Sequence, residues 1–187
     1  MAKFKRDILP SVLIVGEGHT DYAFLLFLRT VVIKDKPGVR FKFIPGHGGS
    51  PDVVVDFTIR QTKEAAYDKV FIVLDQDNPP IRGVKLDEVK HKARSEKIEL
   101  IWVKPCIEGL FLSILEHKGK SWHLLTTKEC QQVFDNEFKV HGCKTDPSTY
   151  GKIFKKNIIM EKQDKLIPLE KIIKFLQLSK ADFPQTK

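Results

Sequence analysis

Four short apolar runs alternate with segments of helical spacing along the first 117 residues. The runs lie at 12–15, 40–44, 70–74 and 100–103, and all but the second are continuously apolar. A continuous run of this length that ends at glycine, aspartate or proline is typical of a strand buried on both faces. The segments between the runs are long enough for crossover helices. The order β-α-β-α-β-α-β-α therefore predicts a three-layer α/β fold with a parallel sheet of about four strands.

Local signals mark where the helices begin. Thr20 and Asp21 can cap the first helix. Ser50-Pro51-Asp52 opens the second helix, with proline in its first turn. Residues 84–97 are polar with helical spacing, and residues 108–116 form the fourth predicted helix.

The length of 187 residues suits one domain of ordinary size with an appendage. We expect an α/β domain at 1–117 and a mainly helical extension at 118–187 that packs on it. Hydrophobic residues make up 42% and charged residues 30%, which excludes a disordered or membrane-spanning chain. Net charge is +8, and the extension supplies +6 of it, with 14 lysines against 8 acidic residues. These lysines either face water or follow nucleic-acid phosphates without reading bases, because lysine lacks the planar fork of arginine.

The cysteines and the N-terminal segment indicate a reducing compartment. Cys106, Cys130 and Cys143 are odd in number and widely spaced, so neither a zinc site nor a disulfide framework is predicted. Asp7 and Pro10 interrupt the first apolar segment, which fits a strand better than a signal peptide. We therefore expect a cytoplasmic protein with no membrane partner.

Acidic residues follow three of the predicted strands. Glu17 follows the first, Asp75 and Asp77 follow the third, and Glu108 follows the fourth. Ligands of open α/β sheets bind outside the carboxyl ends of the strands, so we expect these acids to meet. On an extended chain Asp75 and Asp77 lie on one face about 7 Å apart, where two carboxylates repel unless a cation separates them. Oxygen ligands favour Mg²⁺ or Mn²⁺, which predicts a metal site; the alternative for Asp-x-Asp is an ordinary turn, continued by Asn78-Pro79-Pro80.

Two glycine-rich loops lead into predicted helices and are candidates for binding phosphate. In the first, Gly18, His19 and Thr20 lie at the start of a helix whose free amides point to the same crevice. In the second, His47 lies within the segment 46–50, which is equally compatible with a flexible turn. Neither loop matches G-x-G-x-x-G or the Walker A pattern, so dinucleotide binding and a P-loop are disfavoured.

These motifs together resemble the Toprim domain, the catalytic module shared by topoisomerases, primases and several small nucleases. The Toprim signature is a Glu-Gly after the first strand and an Asp-x-Asp after the third. Within that superfamily the chain is most similar to the RloB-like and OLD-type proteins of bacterial restriction and phage-defence loci. The matching segments are Glu17-Gly18-His19-Thr20-Asp21, Asp75-Gln76-Asp77, Pro105-Cys106-Ile107-Glu108 and Tyr150-Gly151-Lys152. Asp21 stands where the pattern has glutamate.

The resemblance implies a Toprim catalytic domain at 1–117 that cleaves phosphodiester bonds of RNA or DNA with Mg²⁺ or Mn²⁺. Glu17 would be a general acid/base or a metal-organising carboxylate, and Asp75 and Asp77 would hold the metal. Glu108 would support a second metal or position water, and Lys152 belongs to the phosphate-binding residues. The resemblance also allows an ATPase partner encoded at the same locus. The choice of RNA or DNA, the mode of cleavage and the oligomeric state stay open.

Two other functions compete with the nuclease. One is a catalytically inactive Toprim module that binds nucleotide or nucleic acid through its basic extension. The other is a phosphotransfer enzyme with Asp75 as nucleophile. It ranks last because the Asp-x-Asp of such an enzyme would follow the first strand, whereas here it follows the third. A topoisomerase is disfavoured by the length of the chain, and a primase by the lack of a zinc-binding module.

Overall fold

The computed structural model describes residues 9–33, 38–77, 84–140 and 143–184; Asp7 and Asn78-Pro79-Pro80 lie outside these ranges. Within them the strands and α-helices follow in the order β1 (Ser11–Gly16), α1 (His19–Val32), β2 (Arg40–Pro45), α2 (Pro51–Glu64), β3 (Lys69–Asp75), α3 (Leu86–Ser95), β4 (Ile98–Val103), α4 (Ile107–Ile114), α5 (Thr127–Phe138), α6 (Pro147–Ile153), α7 (Lys156–Lys162) and α8 (Ile167–Leu176). No helix in the described ranges has both the length and the apolarity needed to cross a membrane.

The strands form one parallel sheet in the order β2-β1-β3-β4. From β1 the chain crosses to β2 on one side of β1, then to β3 on the other side, and continues outward to β4. Because β-α-β crossovers are right-handed, this change of direction places α1 on one face of the sheet and α2 and α3 on the other. The predicted three-layer α/β fold is therefore confirmed.

The burial of each strand follows its position in the sheet. The four residues from Val12 to Val15 in β1 are fully buried, as expected for a central strand covered on both faces. The edge strand β2 is partly exposed along its length, which matches the alternating sequence of residues 40–44.

Two hydrophobic cores lie on the two faces of the sheet. On one face, Val12 and Ile14 of β1 pack with α1, α4 and the helices that follow. On the other face, Leu13 and Val15 pack with α2 and α3. Successive residues of β1 thus enter opposite cores, because side chains alternate along a strand. This alternation explains the continuously apolar runs.

The extension completes the first of these cores. Trp122, Phe134 and Tyr150 share one buried cluster with Phe24 and Phe111 of α1 and α4. Helix α8 contacts β4 and α1, and its predicted apolar stripe is buried, comprising Leu169, Ile172, Ile173 and Leu176. The division into functional parts at 1–117 and 118–187 stays a prediction, and the packing places both parts on one hydrophobic core.

Candidate active site

The carboxyl ends of β1 and β3 bring the first two predicted acids together. Glu17 directly follows β1, and Asp75 is the last residue of the neighbouring strand β3. The backbone N–H of Asp75 donates a hydrogen bond to Glu17 Oε2 at 2.8 Å, and the Glu17 amide donates to the carbonyl oxygen of Val73 at 3.0 Å. Strand order reverses between β1 and β3, so this is the topological switch point, where open α/β sheets bind ligands.

Two further buried carboxylates act electrostatically on Asp75. Asp21 lies in the first turn of α1 and Glu108 in the first turn of α4, and they are 5% and 3% exposed. The charges of both act on Asp75, and each also interacts with the other. We call this group the acidic cluster; it consists of Glu17, Asp21, Asp75 and Glu108.

Asp21 is a site residue that the sequence predicts only as a helix cap. Helix α1 begins at His19 with Gly18 as its N-cap, two residues earlier than predicted from Thr20. The Gly18 amide donates to Asp21 Oδ2 at 3.1 Å, so one oxygen does cap the helix. The other, Oδ1, is buried and has no hydrogen-bond partner among the described residues. The available signal was its position, four residues after Glu17 and at a helix start facing the crevice.

Burial and mutual repulsion oppose the ionisation of the cluster. Burial, followed by the charges of Asp21 and Glu17, raises the pKa of Asp75 to about 10. Burial raises the pKa of Asp21 to about 7, although its hydrogen bond from Gly18 acts in the opposite direction. Asp75 Oδ1 is buried and makes no hydrogen bond within the described ranges. At neutral pH Asp75 therefore keeps its proton unless a cation joins the cluster.

One lysine of the extension contacts the cluster directly. Lys144 Nζ lies 2.9 Å from Glu108 Oε1 and 3.0 Å from Asp135 Oδ1. Burial lowers the pKa of Lys144, but the hydrogen bonds and charges of these two acids outweigh it and raise the pKa overall. No local pattern distinguishes Lys144 from the other lysines of the extension, so the sequence does not single it out.

The Tyr150-Gly151-Lys152 motif lies on α6 and divides between core and surface. Tyr150 is fully buried, and its hydroxyl donates to the carbonyl oxygen of Lys144 at 2.7 Å. The tyrosine thus holds the backbone of the residue that pairs with Glu108. Lys152 is exposed, and its charge acts on Asp146, the N-cap of α6. Its predicted contact with phosphate stays a prediction.

Asp77 lies beside the acidic cluster. Strand β3 ends at Asp75 and the chain bends at Gln76 and Asp77, so the spacing predicted for an extended chain does not apply there. The amides of Gln76 and Asp77 both donate to the carbonyl oxygen of Pro105 at 3.2 Å. Asp77 is exposed. Its charge raises the pKa of Asp75 less than burial does, and less than the charges of the other three acids do.

The two glycine-rich loops pack against each other next to Glu17. The amide of Gly48 donates to the Glu17 carbonyl oxygen at 2.8 Å. A Cβ on Gly46 would lie 2.9 Å from that same oxygen, so only glycine permits this close approach. The exposed rings of His19 and His47 meet edge to face, with centroids 6.0 Å apart. His19, with the adjoining Gly18 and Thr20, therefore lies close to His47 in the structure. Phosphate binding by these four residues stays a prediction.

The arrangement fits a cation in one specific respect. Across the described ranges, no group of three or more His, Cys, Asp or Glu side chains is arranged ready to hold a metal ion. The buried oxygens Asp21 Oδ1 and Asp75 Oδ1 nevertheless lack hydrogen-bond partners there. Carboxylate oxygens are the donors that Mg²⁺ accepts, and this ion usually needs only one or two carboxylates besides water and phosphate.

Comparison with known proteins identifies the family. The family model described as RloB-like protein matches residues 12–171, a range that contains the acidic cluster, Lys144 and the Tyr150-Gly151-Lys152 motif. Comparisons with curated proteins and with solved structures give no match. Because the matched range covers most of its length, the chain belongs to the RloB-like family.

Proposed function

We propose that this RloB-like protein is a metal-dependent nuclease of the Toprim type, which hydrolyses phosphodiester bonds of RNA or DNA with Mg²⁺ or Mn²⁺. The observation that carries the proposal is the acidic cluster at the switch point of the sheet. There Glu17 accepts a hydrogen bond from the Asp75 amide, and the charges of two further buried carboxylates act on Asp75. A bound divalent cation stabilises the ionised form of such carboxylates. It takes the place of the protons that they otherwise retain because of burial and mutual repulsion.

Glu17, Asp21 and Asp75 would hold the ion, and the exposed Asp77 is the fourth candidate ligand. A bound ion of this kind polarises a phosphoryl oxygen and lowers the pKa of a bound water. A complete cage of protein ligands is not required, since magnesium sites that act on phosphates keep several waters. The two unpartnered buried oxygens support this assignment.

The residues of the chain have separate tasks in this proposal. Glu17 is fixed by the Asp75 amide at one carboxylate oxygen and is the candidate to accept a proton from the attacking water. Lys144 holds Glu108 Oε1 and so fixes the orientation of that carboxylate. The exposed rings of His19 and His47, which contact each other, would donate hydrogen bonds to phosphate oxygens.

A second function is favoured by one observation. The described residues include no preformed set of three metal-binding side chains. A family member that binds nucleic acid through its basic extension without cleaving it would need no such set. This catalytically inactive module is the alternative that the experiment must separate from the nuclease.

The experiment incubates the protein with labelled tRNA, single-stranded DNA and duplex DNA, in Mn²⁺, Mg²⁺ or EDTA. The nuclease predicts metal-dependent cleavage that falls at least 100-fold in Asp75→Asn and Glu17→Gln. Asp87→Asn is the matched control, because Asp87 is an exposed residue of α3. Binding without cleavage by the unmodified protein in either metal would instead support the inactive module.

The biological setting implied by the resemblance, bacterial defence with an ATPase partner, belongs to the same proposal. It predicts that cells carrying the intact locus resist infection by some phages. Plaque counts should return to those of unprotected cells when Asp75→Asn replaces the natural protein. Equal protection by the two versions would contradict a defence role for the cleavage activity.

A further inference from the structure

A groove of about 490 Å³ opens directly beside the acidic cluster. One wall is formed by Gln76 and Asp77 after β3 and by Lys104 and Pro105 after β4. Hydrogen bonds from the first two residues to the Pro105 carbonyl oxygen hold this wall together. The opposite wall is the segment 125–128, where α5 begins. We call this cavity the side groove.

The lysines of the side groove are available to bind a ligand. Lys104 and Lys128 are both exposed, and neither forms an ion pair with any residue in the described part of the chain. Three lysines of the extension differ in this respect: Lys118, Lys144 and Lys162 are already paired with Glu137, Glu108 and Glu116, respectively. The side groove therefore presents two lysines that form no ion pair among the described residues, against one carboxylate, that of Asp77.

The remaining lining of the side groove suits the neutral parts of a nucleotide. Pro105 and Leu125 provide apolar surface, while Gln76 and Thr126 provide polar groups. Thr127 also lines the groove, and its buried Oγ1 has no hydrogen-bond partner among the described residues. Asp77 is the one acidic residue among the described residues of the lining, and its charge acts on Asp75 of the cluster.

We infer that the side groove binds one strand of nucleic acid, with its phosphates on Lys104 and Lys128 and its sugar or base against Pro105 and Leu125. The inference rests on the proposed function for the position of the cleaved phosphate. The volume of about 490 Å³ is that of a small-ligand pocket, which matches a short stretch of one strand better than the width of a duplex. Lysine contacts follow the backbone without reading bases, so binding is independent of sequence.

The test measures binding in EDTA, where no cleavage takes place. Fluorescence anisotropy compares a labelled 12-nucleotide single strand with a blunt duplex of the same length. The double variant Lys104→Ala/Lys128→Ala should weaken single-strand binding at least 10-fold. The slope of log K against log salt should become less steep by about 1.4, because two phosphate contacts are lost. The control double variant Lys155→Ala/Lys156→Ala removes the same charge from exposed positions outside the groove and should change affinity less than 2-fold.

Three results would overturn the inference: unchanged single-strand binding in the groove variant, an equal loss in the control variant, or a blunt duplex bound as tightly as the single strand. Both variants change exposed side chains and should keep the melting temperature of the natural protein, which is checked first. Lys104→Gln/Lys128→Gln repeats the test if the alanine variant melts early. A protein that binds a single strand as described but does not cleave it would contradict the proposed nuclease and would still support binding in the side groove.

Discussion

Asp75 lies where burial and neighbouring carboxylates act in the same direction, and its pKa rises to about 10. The folded protein therefore keeps a proton that the unfolded chain has already released above about pH 4. A group of this kind lowers stability as pH rises between its two pKa values, because the unfolded state then binds fewer protons than the folded state. Its contribution is most favourable below about pH 4 and declines progressively towards pH 10.

This reasoning predicts that Asp75→Asn flattens the pH dependence of stability in EDTA. Asparagine resembles the protonated carboxyl group and cannot ionise. The free energy of unfolding of the natural protein should fall more steeply between pH 5 and 9 than that of the variant, by at most about 1.4 kcal/mol per pH unit. Urea titrations at several pH values measure the difference. Asp87→Asn should keep the natural slope, and an equal slope in Asp75→Asn would refute the assignment.

Lys144 provides a second prediction at the scale of one residue. Lys144→Ala leaves Glu108, which is 3% exposed, without its cation. Removing one partner of a buried pair costs about 3 kcal/mol or more, reduced here because Lys144 is itself partly exposed. We expect a loss of about 2 kcal/mol in urea denaturation. Lys174→Ala removes an exposed pair with Glu170 on α8, which water screens, and should change stability far less than Lys144→Ala does. Similar losses in the two variants would contradict a structural role for the Glu108 pair.

Some residues of the site could be predicted from the sequence and others could not, and the difference has physical reasons. Glu17, Asp75 and Glu108 follow strands, and strand ends can be located from apolar runs, so their proximity was predictable. Asp21 is predicted as a helix cap, and that prediction accounts for only one of its carboxylate oxygens. It does not indicate a role for the second oxygen in the site. Lys144 pairs with a residue 36 positions earlier. That contact depends on how the extension packs, and local periodicity does not encode it.

Among the secondary-structure elements, the strands were the most predictable. The continuous apolar runs of β1 and β3 correspond to burial on both faces, and the alternation in β2 corresponds to its place at an edge. The continuous run of β4 is the exception, because β4 is the other edge strand and its Leu100 and Trp102 are only partly buried. The start of α1 was less predictable. Gly18 takes the extended cap position with φ of −128°, and the polar residues that usually cap a helix lie inside its first turn. The bend after Asp75 agrees with the ordinary turn that was the alternative for Asp-x-Asp, and not with the extended chain that the spacing argument assumed.

Helix α8 gives a prediction at the scale of the element. Ile172 is fully buried in the shared core, whereas Ile167 on the same helix is 69% exposed. Ile172→Ala should reduce the free energy of unfolding by about 2 to 5 kcal/mol through lost burial and the cavity left behind. Ile167→Ala is the matched control and should cost less than about 0.5 kcal/mol. Equal effects in urea denaturation would mean that α8 does not pack on the sheet as described.

At the scale of the whole molecule, one core joins the predicted catalytic domain to the extension. Trp122 and Phe134 of the extension are buried against the residues of α1 and α4. Because the same cluster stabilises both parts, we expect them to unfold together in a single transition. In Trp102→Phe, the fluorescence of Trp122 reports on the extension alone. Its urea midpoint should coincide with that measured by far-UV circular dichroism, and an earlier midpoint would show a separately unfolding extension.

The most direct test of the metal site is anomalous diffraction from crystals of the natural protein soaked in Mn²⁺. We predict a peak about 2 to 2.5 Å from a carboxylate oxygen of Asp75, with a second ligand from Glu17 or Asp21. The same soak of Asp75→Asn should show that peak weakened or lost. A saturating soak that gives no peak at the carboxyl ends of β1 and β3 would contradict the account.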